Sequence, residues 1–413
     1  MRLALALCGA LAAASLVHAS PLPDIGLDVG VNLDLGPVDV DVSASVGKRA
    51  PPKQGGGVVA FYPNWALYSR SNISGIDLTG VDTVVWAFWT VRKDGSILTT
   101  DEWADFQVGG TGTIPLLNAA KKKYGFRTML SIGGWSSSAN FSAVAVNPAA
   151  RKTFTQACLK ACQDYGFDGV DLDWEYPGGG GLEMNYFSLG DPEFYVQLLK
   201  DLRSAFGSKY LISIDVSASS KRYDNQLWAY GQIVDWINIM GFDYVGTLQP
   251  ISGHNSPLYE DKAGDPGKAG FVSQAVSAYI AAGVNPKKLT LLTPFYGKSW
   301  NVTSGSNNGL YQLVDVYDAD QFYSSLRKNG WLTTPTTAGA GFQKTYWDSS
   351  HAPTLLRKNS EGSYTFVTYD DPSTITEKAR LAKSMGFGGV GMWEITQDYQ
   401  GELLTALVGG FKK

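Results

Sequence analysis

The sequence predicts an α/β protein, built as a (β/α)8 TIM barrel with a small α+β insertion after the seventh strand. Two observations lead to this fold. Eight short apolar runs of strand length recur from residue 57 onward, and amphipathic stretches of helix length separate most of them. Such alternation is typical of parallel β/α folds, and eight units favour a closed barrel over an open sheet. No GxGxxG follows the first run, so the dinucleotide-binding version of the fold lacks its fingerprint.

The candidate strands follow one another in a regular order. The segments EFYVQLLKDLRSAFG at 193 and SQAVSAYIAAGV at 273 are amphipathic and predict two of the intervening helices. The strands are predicted at VVAFYPNW from 58, VDTVVWAFWTV from 81, RTMLSIGGW from 127, FDGVDLDWEYP from 167, YLISIDVSAS from 210, VDWINIMGFDYVG from 234, KLTLLTPFYGKSW from 288 and GFGGVGMWEITQD from 386.

The interval before the eighth strand is abnormally long. About ninety residues separate Trp300, where the seventh strand is expected to end, from Gly386. A predicted helix, TITEKARLAKSMG, occupies the end of that interval. The remainder, 301–369, carries alternating aromatic segments such as FQKTYWDSS and SYTFVTYDD. We therefore expect a compact α+β insertion over the C-terminal face of the barrel.

The N-terminal region has the pattern of an export signal. Residues 1–19 join Arg2 to an apolar run that is too short for a membrane span and ends in small residues, which is typical of a cleaved signal peptide. Residues 20–49 alternate with period two and end at Lys48-Arg49, so we interpret them as a pro-segment cut at the dibasic pair; a flexible linker is the alternative. The catalytic unit is then expected at 50–413.

Composition excludes several classes of function. The net charge of −4 gives no electrostatic footprint for nucleic acid, and no later apolar stretch could anchor the chain in a membrane. The two histidines beyond the signal, His254 and His351, barely support a Ser-His-Asp triad, and there is no HExxH or Cys/His cluster for a metal. No cofactor is expected. Cys158 and Cys162 lie four apart in one predicted helix, where a disulfide is awkward, so we expect buried free thiols.

A row of carboxylates on the fourth strand carries the chemistry. Asp171, Asp173 and Glu175 stand at alternate positions, so their side chains point to one side of the strand, toward the barrel interior. Each charge raises the proton affinity of its neighbours, so one acid holds a proton near neutral pH. Glu175, the outermost, is the candidate general acid of a glycosidase. A surface acid run or a divalent-metal site is the alternative. Apolar residues flank the acids and disfavour a surface run: Phe167, Val170, Leu172 and Trp174.

This segment, DGVDLDWEYP, resembles the DxxDxDxE signature of glycoside hydrolase family 18, in the form of a secreted, fungal-type chitinase. The sequence SIGGW, with Gly133 and Gly134, resembles the SxGG strand of that family. The resemblance extends from about residue 58 to 397. It implies hydrolysis of the β-1,4 linkages between N-acetylglucosamine units of chitin, by a retaining mechanism in which the substrate's acetamido oxygen attacks the anomeric carbon.

The resemblance also implies residue roles. Glu175 would protonate the glycosidic oxygen, Asp173 would orient the acetamide, and Asp171 would share the proton of Asp173. Asp168 would be structural. Trp393 would floor the −1 subsite. The other substrate-binding residues implied are Trp65 and Trp135, which would stack on neighbouring sugars, Asp243 and Tyr296, which would hydrogen-bond in the site, and Phe88, Met240 and Phe242.

Three positions depart from the usual pattern of the family. Phe242 stands where a tyrosine often hydrogen-bonds the acetamide, Phe61 where a tyrosine is frequent, and Lys298 where an arginine is frequent. These changes keep a second hypothesis open, a chitooligosaccharide-binding protein with weak or no catalysis. A third hypothesis is an endo-β-N-acetylglucosaminidase acting on N-glycans. The partner expected is chitin or its oligosaccharides, and the protein is expected to be a secreted monomer. Sequons lie at Asn72, Asn140 and Asn301.

Overall fold

The computed structural model describes residues 55–413 except 224, 247, 248, 263, 265, 267 and 268. The predicted signal peptide at 1–19 and the pro-segment at 20–49, with its dibasic pair, lie outside the described residues. The described residues belong to one compact unit.

Eight parallel strands form a closed barrel. The order β1-β2-β4-β5-β6-β7-β8-β16 returns to β1, because β1 pairs in parallel with both β2 and β16. All eight correspond to the strands predicted from the apolar runs. The barrel strands are β1 (Gly57–Pro63), β2 (Thr83–Val91), β4 (Arg127–Gly133), β5 (Gly169–Asp173), β6 (Leu211–Ser217), β7 (Trp236–Met240), β8 (Leu289–Pro294) and β16 (Gly389–Trp393); the short β3 (Ile97–Thr99) adds antiparallel to β2.

Helices connect most of the strands on the outside of the barrel. The link between β1 and β2 has only short 3-10 turns, whereas the later links carry α-helices. None of the described helices is long and apolar enough to cross a membrane. The α-helices are α1 (Ile114–Tyr124), α2 (Phe141–Val146), α3 (Pro148–Tyr165), α4 (Asp191–Phe206), α5 (Leu227–Ile233), α6 (Val272–Ala281), α7 (Tyr323–Lys328), α8 (Pro372–Ser384) and α9 (Glu402–Lys412).

The insertion after the seventh barrel strand is an antiparallel sheet with α7 beside it. Its five strands have the order β10-β9-β15-β14-β13, and a two-stranded ribbon, β11–β12, accompanies them. The ranges are β9 (Tyr296–Val302), β10 (Val314–Phe322), β11 (Leu332–Thr334), β12 (Thr337–Ala338), β13 (Gln343–Trp347), β14 (Ala352–Lys358) and β15 (Tyr364–Thr368).

One strand boundary differs from the prediction. KLTLLTPFYGKSW was taken as a single seventh strand ending near Trp300, but the chain leaves the barrel at Pro294. Only Phe295 separates β8 from β9, which belongs to the insertion sheet. The insertion therefore begins at Tyr296 rather than at 301. Proline has no N–H to continue the ladder, and this physical signal was available in the sequence.

The apolar core lies between the strands and the surrounding helices. The barrel strands are buried on both faces, which explains why they appear in the sequence as nearly continuous apolar runs. Cys158 and Cys162 lie on the buried face of α3 and are free thiols, as expected. Burial raises the pKa of both, which keeps them protonated and unreactive.

Candidate active site

The acidic row lies in the middle of the barrel, at the C-terminal end of β5. Asp171 and Asp173 are on the strand and Glu175 follows it, and all three are buried. Asp168 lies outside the row. Its carboxylate accepts a hydrogen bond from the Thr128 amide at 2.7 Å and pairs with Lys121 at 2.8 Å. The structure thus brings three of the four motif acids together and places the fourth in a contact between strand and helix.

Asp171 is surrounded by hydrogen-bond donors. The Ser131 hydroxyl donates to its Oδ2 at 2.8 Å from β4, and the Ser213 hydroxyl donates to its Oδ1 from β6. Asp215, on β6, is hydrogen-bonded to Asp171 and accepts the Asn238 amide at 2.7 Å. Two carboxyls can share a hydrogen bond only if one keeps its proton. Burial and the charge of Asp171 raise the pKa of Asp215 well above its usual value, so Asp215 is the protonated partner.

Asp173 has far fewer partners. Its Oδ1 is buried and accepts no hydrogen bond. Burial, followed by the charges of Glu175 and Asp171, raises its pKa well above the usual value. Sequence reasoning paired Asp173 with Asp171 through a shared proton. In the structure these two interact through charge, and the carboxyl that is hydrogen-bonded to Asp171 is Asp215.

Glu175 has the pKa of a general acid. Burial raises its pKa from 4.5 to about 7. The Tyr176 hydroxyl, which hydrogen-bonds the carboxylate, and the charge of Arg222 oppose this shift, while the charge of Asp243 adds to it. A group with this pKa is protonated in about half of the molecules at neutral pH, the condition in which it both donates and accepts protons efficiently.

Two glycines let the end of β4 approach the end of β5. Gly133 and Gly134 have φ of 115° and 87°. A Cβ on Gly133 would lie 2.1 Å from the Asp173 carbonyl oxygen, and one on Gly134 would lie 2.6 Å from the Phe88 ring. Without those carbons the Gly134 amide donates to the Asp173 carbonyl at 2.8 Å. Ser138 adds to this contact, because its hydroxyl donates to the same carbonyl and accepts the Glu175 amide at 3.0 Å.

Aromatic rings form the floor beside the acids. Trp393, at the end of β16, stacks on Phe88 with 5.4 Å between ring centroids. Trp65 lies 6.3 Å from Trp393 and is 39% exposed. Trp135, which follows Gly134, is 49% exposed. Flat apolar rings that remain open to solvent suit the apolar faces of pyranose sugars.

The residues at and after the ends of β7 and β8 combine an apolar patch with a charged pair. Met240 and Phe242 pack in a small cluster with Trp393, and the Phe242 ring meets Tyr296 edge-on at 5.9 Å. Tyr296 donates its hydroxyl to Asp243 Oδ1 at 2.6 Å. Lys298, on β9, pairs with the same oxygen at 2.8 Å. The insertion therefore supplies a hydroxyl and a positive charge to the site.

Sequence reasoning missed several of these residues. Asp215 and Asn238 are isolated polar residues in otherwise apolar strands, LISIDVS and WINIM, and this signal was visible but was not used. Lys298 was noted only as a departure from the family pattern, and its pairing with Asp243 was not expected. Tyr176, Arg222 and Ser138 gave no signal in sequence, because each acts through a contact that depends on the folded loop.

Other chemistry finds no support in the described residues. His254 Nε2 lies 3.1 Å from the Ser350 hydroxyl, but Ser350 is completely buried, so no substrate could reach this pair. No group of three or more His, Cys, Asp or Glu residues in the described part of the chain could hold a metal ion. The Asn140 sequon donates its amide to the Val91 carbonyl at 2.9 Å, a bond with which a glycan would compete.

Comparison with known proteins agrees with this geometry. The family model "Glycosyl hydrolases family 18" matches residues 57–398. Chitinase A1 of Niallia circulans is 33% identical to this chain, and the matched region covers 83% of this chain and 56% of that protein. Chitinase 1 of Aphanocladium album is 29% identical, and the matched region covers 84% of this chain and 84% of that protein. The Ostrinia furnacalis Group II chitinase catalytic domain 2, solved in complex with penta-N-acetylchitooctaose, superposes with a TM-score of 0.74 at 28% identity, covering 86% of this chain and 95% of that one.

Proposed function

The chain belongs to family 18 of the glycosyl hydrolases, and from this premise we propose that it hydrolyses the β-1,4 linkages between N-acetylglucosamine units in chitin and chitooligosaccharides. The chitinases among its relatives and the solved complex with a chitin oligosaccharide support this substrate. The observation that carries the proposal is the buried pair Asp173 and Glu175, whose pKa values are both raised, with the half-buried ring of Trp393 and the exposed ring of Trp65 in the same site.

In the proposed reaction Glu175 gives its proton to the glycosidic oxygen as the bond from that oxygen to C1 breaks. The acetamido oxygen of the same sugar closes on C1 and forms an oxazolinium ion. Asp173 orients the acetamide and stabilises the positive charge. Glu175, now ionised, takes a proton from water as the water oxygen adds to C1, and the acetamide is released with retention of configuration. No carboxylate of the enzyme bonds to the sugar.

The surrounding residues have supporting roles in this scheme. Trp393 and Phe88 floor the central sugar, with Trp65 and Trp135 beside its neighbours. Asp243 and Tyr296 hydrogen-bond the substrate. Burial raises the pKa of Asp171, and hydrogen bonds from Ser131, Ser213 and Asp215 oppose this shift. The charge of Asp171 in turn raises the pKa of Asp173. The remaining lining residues are Met240 and Phe242.

Product analysis tests the proposal directly. The protein is incubated with chitotetraose, and the first products are observed by proton NMR. The proposal expects cleavage with the β anomer formed first, because the acetamide and then water act on opposite faces of C1. A first product of the α anomer would exclude the mechanism, and complete stability of chitotetraose and longer oligomers would exclude the activity.

A chitooligosaccharide-binding protein with weak or no catalysis is the second candidate. It is favoured by Phe242, because the site lacks the hydroxyl that a tyrosine would supply there. The missing donor would act on the acetamide while charge develops there. The same oligomers distinguish the two functions, since a binder retains them uncleaved with measurable affinity.

We propose further that the protein acts outside the cell as a monomer, after removal of residues 1–49. The apolar N-terminal run and the dibasic pair Lys48-Arg49 support export and processing. N-terminal sequencing of secreted protein that begins at Ala50 would agree with both steps. Material beginning at Ser20 would remove the pro-segment while leaving export in place. Glycans at Asn72, Asn140 and Asn301 remain part of this proposal.

A further inference from the structure

The loop that follows the catalytic acid has an unusual distribution of polarity. It runs from residue 178 to 190, between β5 and α4. Four large apolar side chains in it face solvent, and we refer to them as the loop tip: Met184 (78% exposed), Tyr186 (64%), Phe187 (50%) and Leu189 (84%). Four exposed apolar side chains within six residues of one loop indicate an interaction site in a soluble protein.

Two hydrogen bonds from residues between these side chains hold the loop in place. Asn185 donates its amide to the carbonyl oxygen of Glu175 at 3.1 Å. The Ser188 amide donates to Asp191 at 2.8 Å, and Asp191, at the start of α4, is completely buried. Four apolar side chains of the loop are thus exposed together with the charged Glu183, while Asn185 is turned toward the protein.

The four glycines that precede the tip bring the loop against the catalytic residue. A Cβ on Gly181 would lie 2.0 Å from the Glu175 carbonyl oxygen. The Arg222 guanidinium donates to the Gly179 carbonyl at 3.1 Å, and it lies 4.7 Å from the centre of the Tyr176 ring. The loop is therefore held by hydrogen bonds to the backbone of Glu175 and Tyr176, next to the proposed general acid.

We propose that the loop tip is a docking surface for the ordered face of insoluble chitin. This inference rests on the proposed function and adds the physical state of the substrate. The surface of solid chitin presents sugar-ring faces and acetamido methyl groups, which aromatic and aliphatic side chains contact favourably. The tip segment 182–189 has one charged residue, Glu183, and no base, so it suits an uncharged partner. Because the loop tip follows Glu175 closely in sequence, chitin docked on it would lie near the cleft, which must receive a single chitin chain.

The test separates docking from hydrolysis. A Glu175→Gln parent is mixed with insoluble chitin, and the protein left in solution is measured. The combined variant Met184→Ser, Tyr186→Ser, Phe187→Ser and Leu189→Ser is expected to bind about tenfold more weakly, because four apolar contacts with the solid are lost. With the Glu175 side chain restored, kcat/KM on soluble chitotetraose should stay within about twofold of the wild type, because this short substrate does not need the tip.

Trp228→Ser is the matched control. Trp228 lies on α5 and is 57% exposed, so its removal changes a similar apolar surface outside the proposed docking site. It should leave both binding and hydrolysis unchanged. If the combined variant does not fold, Tyr186→Ser alone is used, with a loss of about threefold expected.

Three results would overturn the inference. The first is unchanged binding of the tip variant to insoluble chitin. The second is a loss of kcat/KM on soluble chitotetraose as large as the loss of binding to insoluble chitin. The third is a dimeric parent that becomes a monomer in the tip variant without any change in chitin binding. Failure of the proposed function has a different signature. The wild type would then leave soluble chitotetraose intact. The binding of the Glu175→Gln parent and of the tip variant to insoluble chitin could still be compared, and this comparison would still test the docking surface.

Discussion

Asp215 extends the acidic row to four buried carboxyls, and these form two halves that differ in their hydrogen-bond partners. The lower half, Asp171 and Asp215, is saturated with hydrogen bonds from neighbouring strands. The upper half, Asp173 and Glu175, is as deeply buried but has an oxygen without a donor and a carboxyl whose pKa is raised to about 7. A buried carboxyl group that is surrounded by hydrogen-bond donors is fixed in place and has a structural role. A buried carboxyl group with few donors has a raised pKa, so that it can carry a proton for transfer. If hydrogen-bond donors make this difference, substitutions in the upper half should alter catalysis more than substitutions in the lower half.

Glu175→Gln removes the transferable proton from the upper half while keeping its shape. We expect kcat on chitotetraose to fall on the order of a thousandfold, because general acid catalysis contributes that much. Binding of the oligosaccharide should change little. Steady-state kinetics and calorimetry measure the two quantities. Asp168→Asn is the control, since this motif acid lies outside the row and should keep near-normal activity. A variant that retained more than a few per cent of the wild-type rate would remove Glu175 from its role.

Asp215→Asn should affect stability more than chemistry. The folded-state pKa of Asp215 is raised above its unfolded value of 3.8, so its protonation stabilises the fold fully below that value. This contribution is lost as the pH rises through the raised folded pKa. Asparagine keeps a donor toward Asp171 but cannot ionise. The unfolding free energy of the variant should therefore decline less with rising pH above 4, by up to about 1.4 kcal/mol per pH unit.

Chemical denaturation at a series of pH values checks this expectation. Parallel curves for the wild type and the Asp215→Asn variant would mean that Asp215 holds no proton in the folded protein. A loss of kcat as large as that of Glu175→Gln would place Asp215 in the upper, catalytic half and would break the comparison.

Lys298→Met should raise the pKa of Glu175 in the upper half. Asp243 raises the pKa of Glu175, and Lys298 pairs with Asp243. Removal of the lysine leaves the negative charge uncompensated, so the pKa of Glu175 should rise further. Since Glu175 must be protonated, kcat/KM falls above its pKa, and this alkaline limb should move upward by about half a pH unit. Lys298→Arg keeps the charge and should leave the limb in place. A downward shift in the methionine variant would contradict the assignment.

Phe242→Tyr is expected to have the smallest effect. The new hydroxyl would lie beside Tyr296 and toward the acetamide, where it would stabilise developing charge. We expect kcat to rise about threefold with little change in affinity. An unchanged kcat beside a rapid wild-type rate would show that Asp173 and Asp243 already position the acetamide. It would also remove the main reason for the binding-protein hypothesis.

Much of this account was accessible from the sequence. The eight barrel strands and the direction of Asp171, Asp173 and Glu175 follow from the periodicity of one strand at a time. The division between β8 and β9 was missed because two apolar strands in succession have the same pattern as one long strand. The hydrogen bond between Asp171 and Asp215 depends on the register between β5 and β6, and this register cannot be predicted from the sequence of either strand alone. The contact of Lys298 with Asp243 depends on where the insertion lies over the barrel.

The pKa of Glu175 in the folded protein tests the central contrast most directly. Carbon-13 NMR of protein labelled at the glutamate carboxyl carbons, compared between the wild type and Glu175→Gln, identifies the resonance of this side chain. A titration midpoint of about 7 is expected, because burial outweighs the opposing Tyr176 hydroxyl and Arg222 charge. A midpoint near 4.5, the usual value for a glutamate, would show that the upper half of the row holds no available proton and would contradict the account.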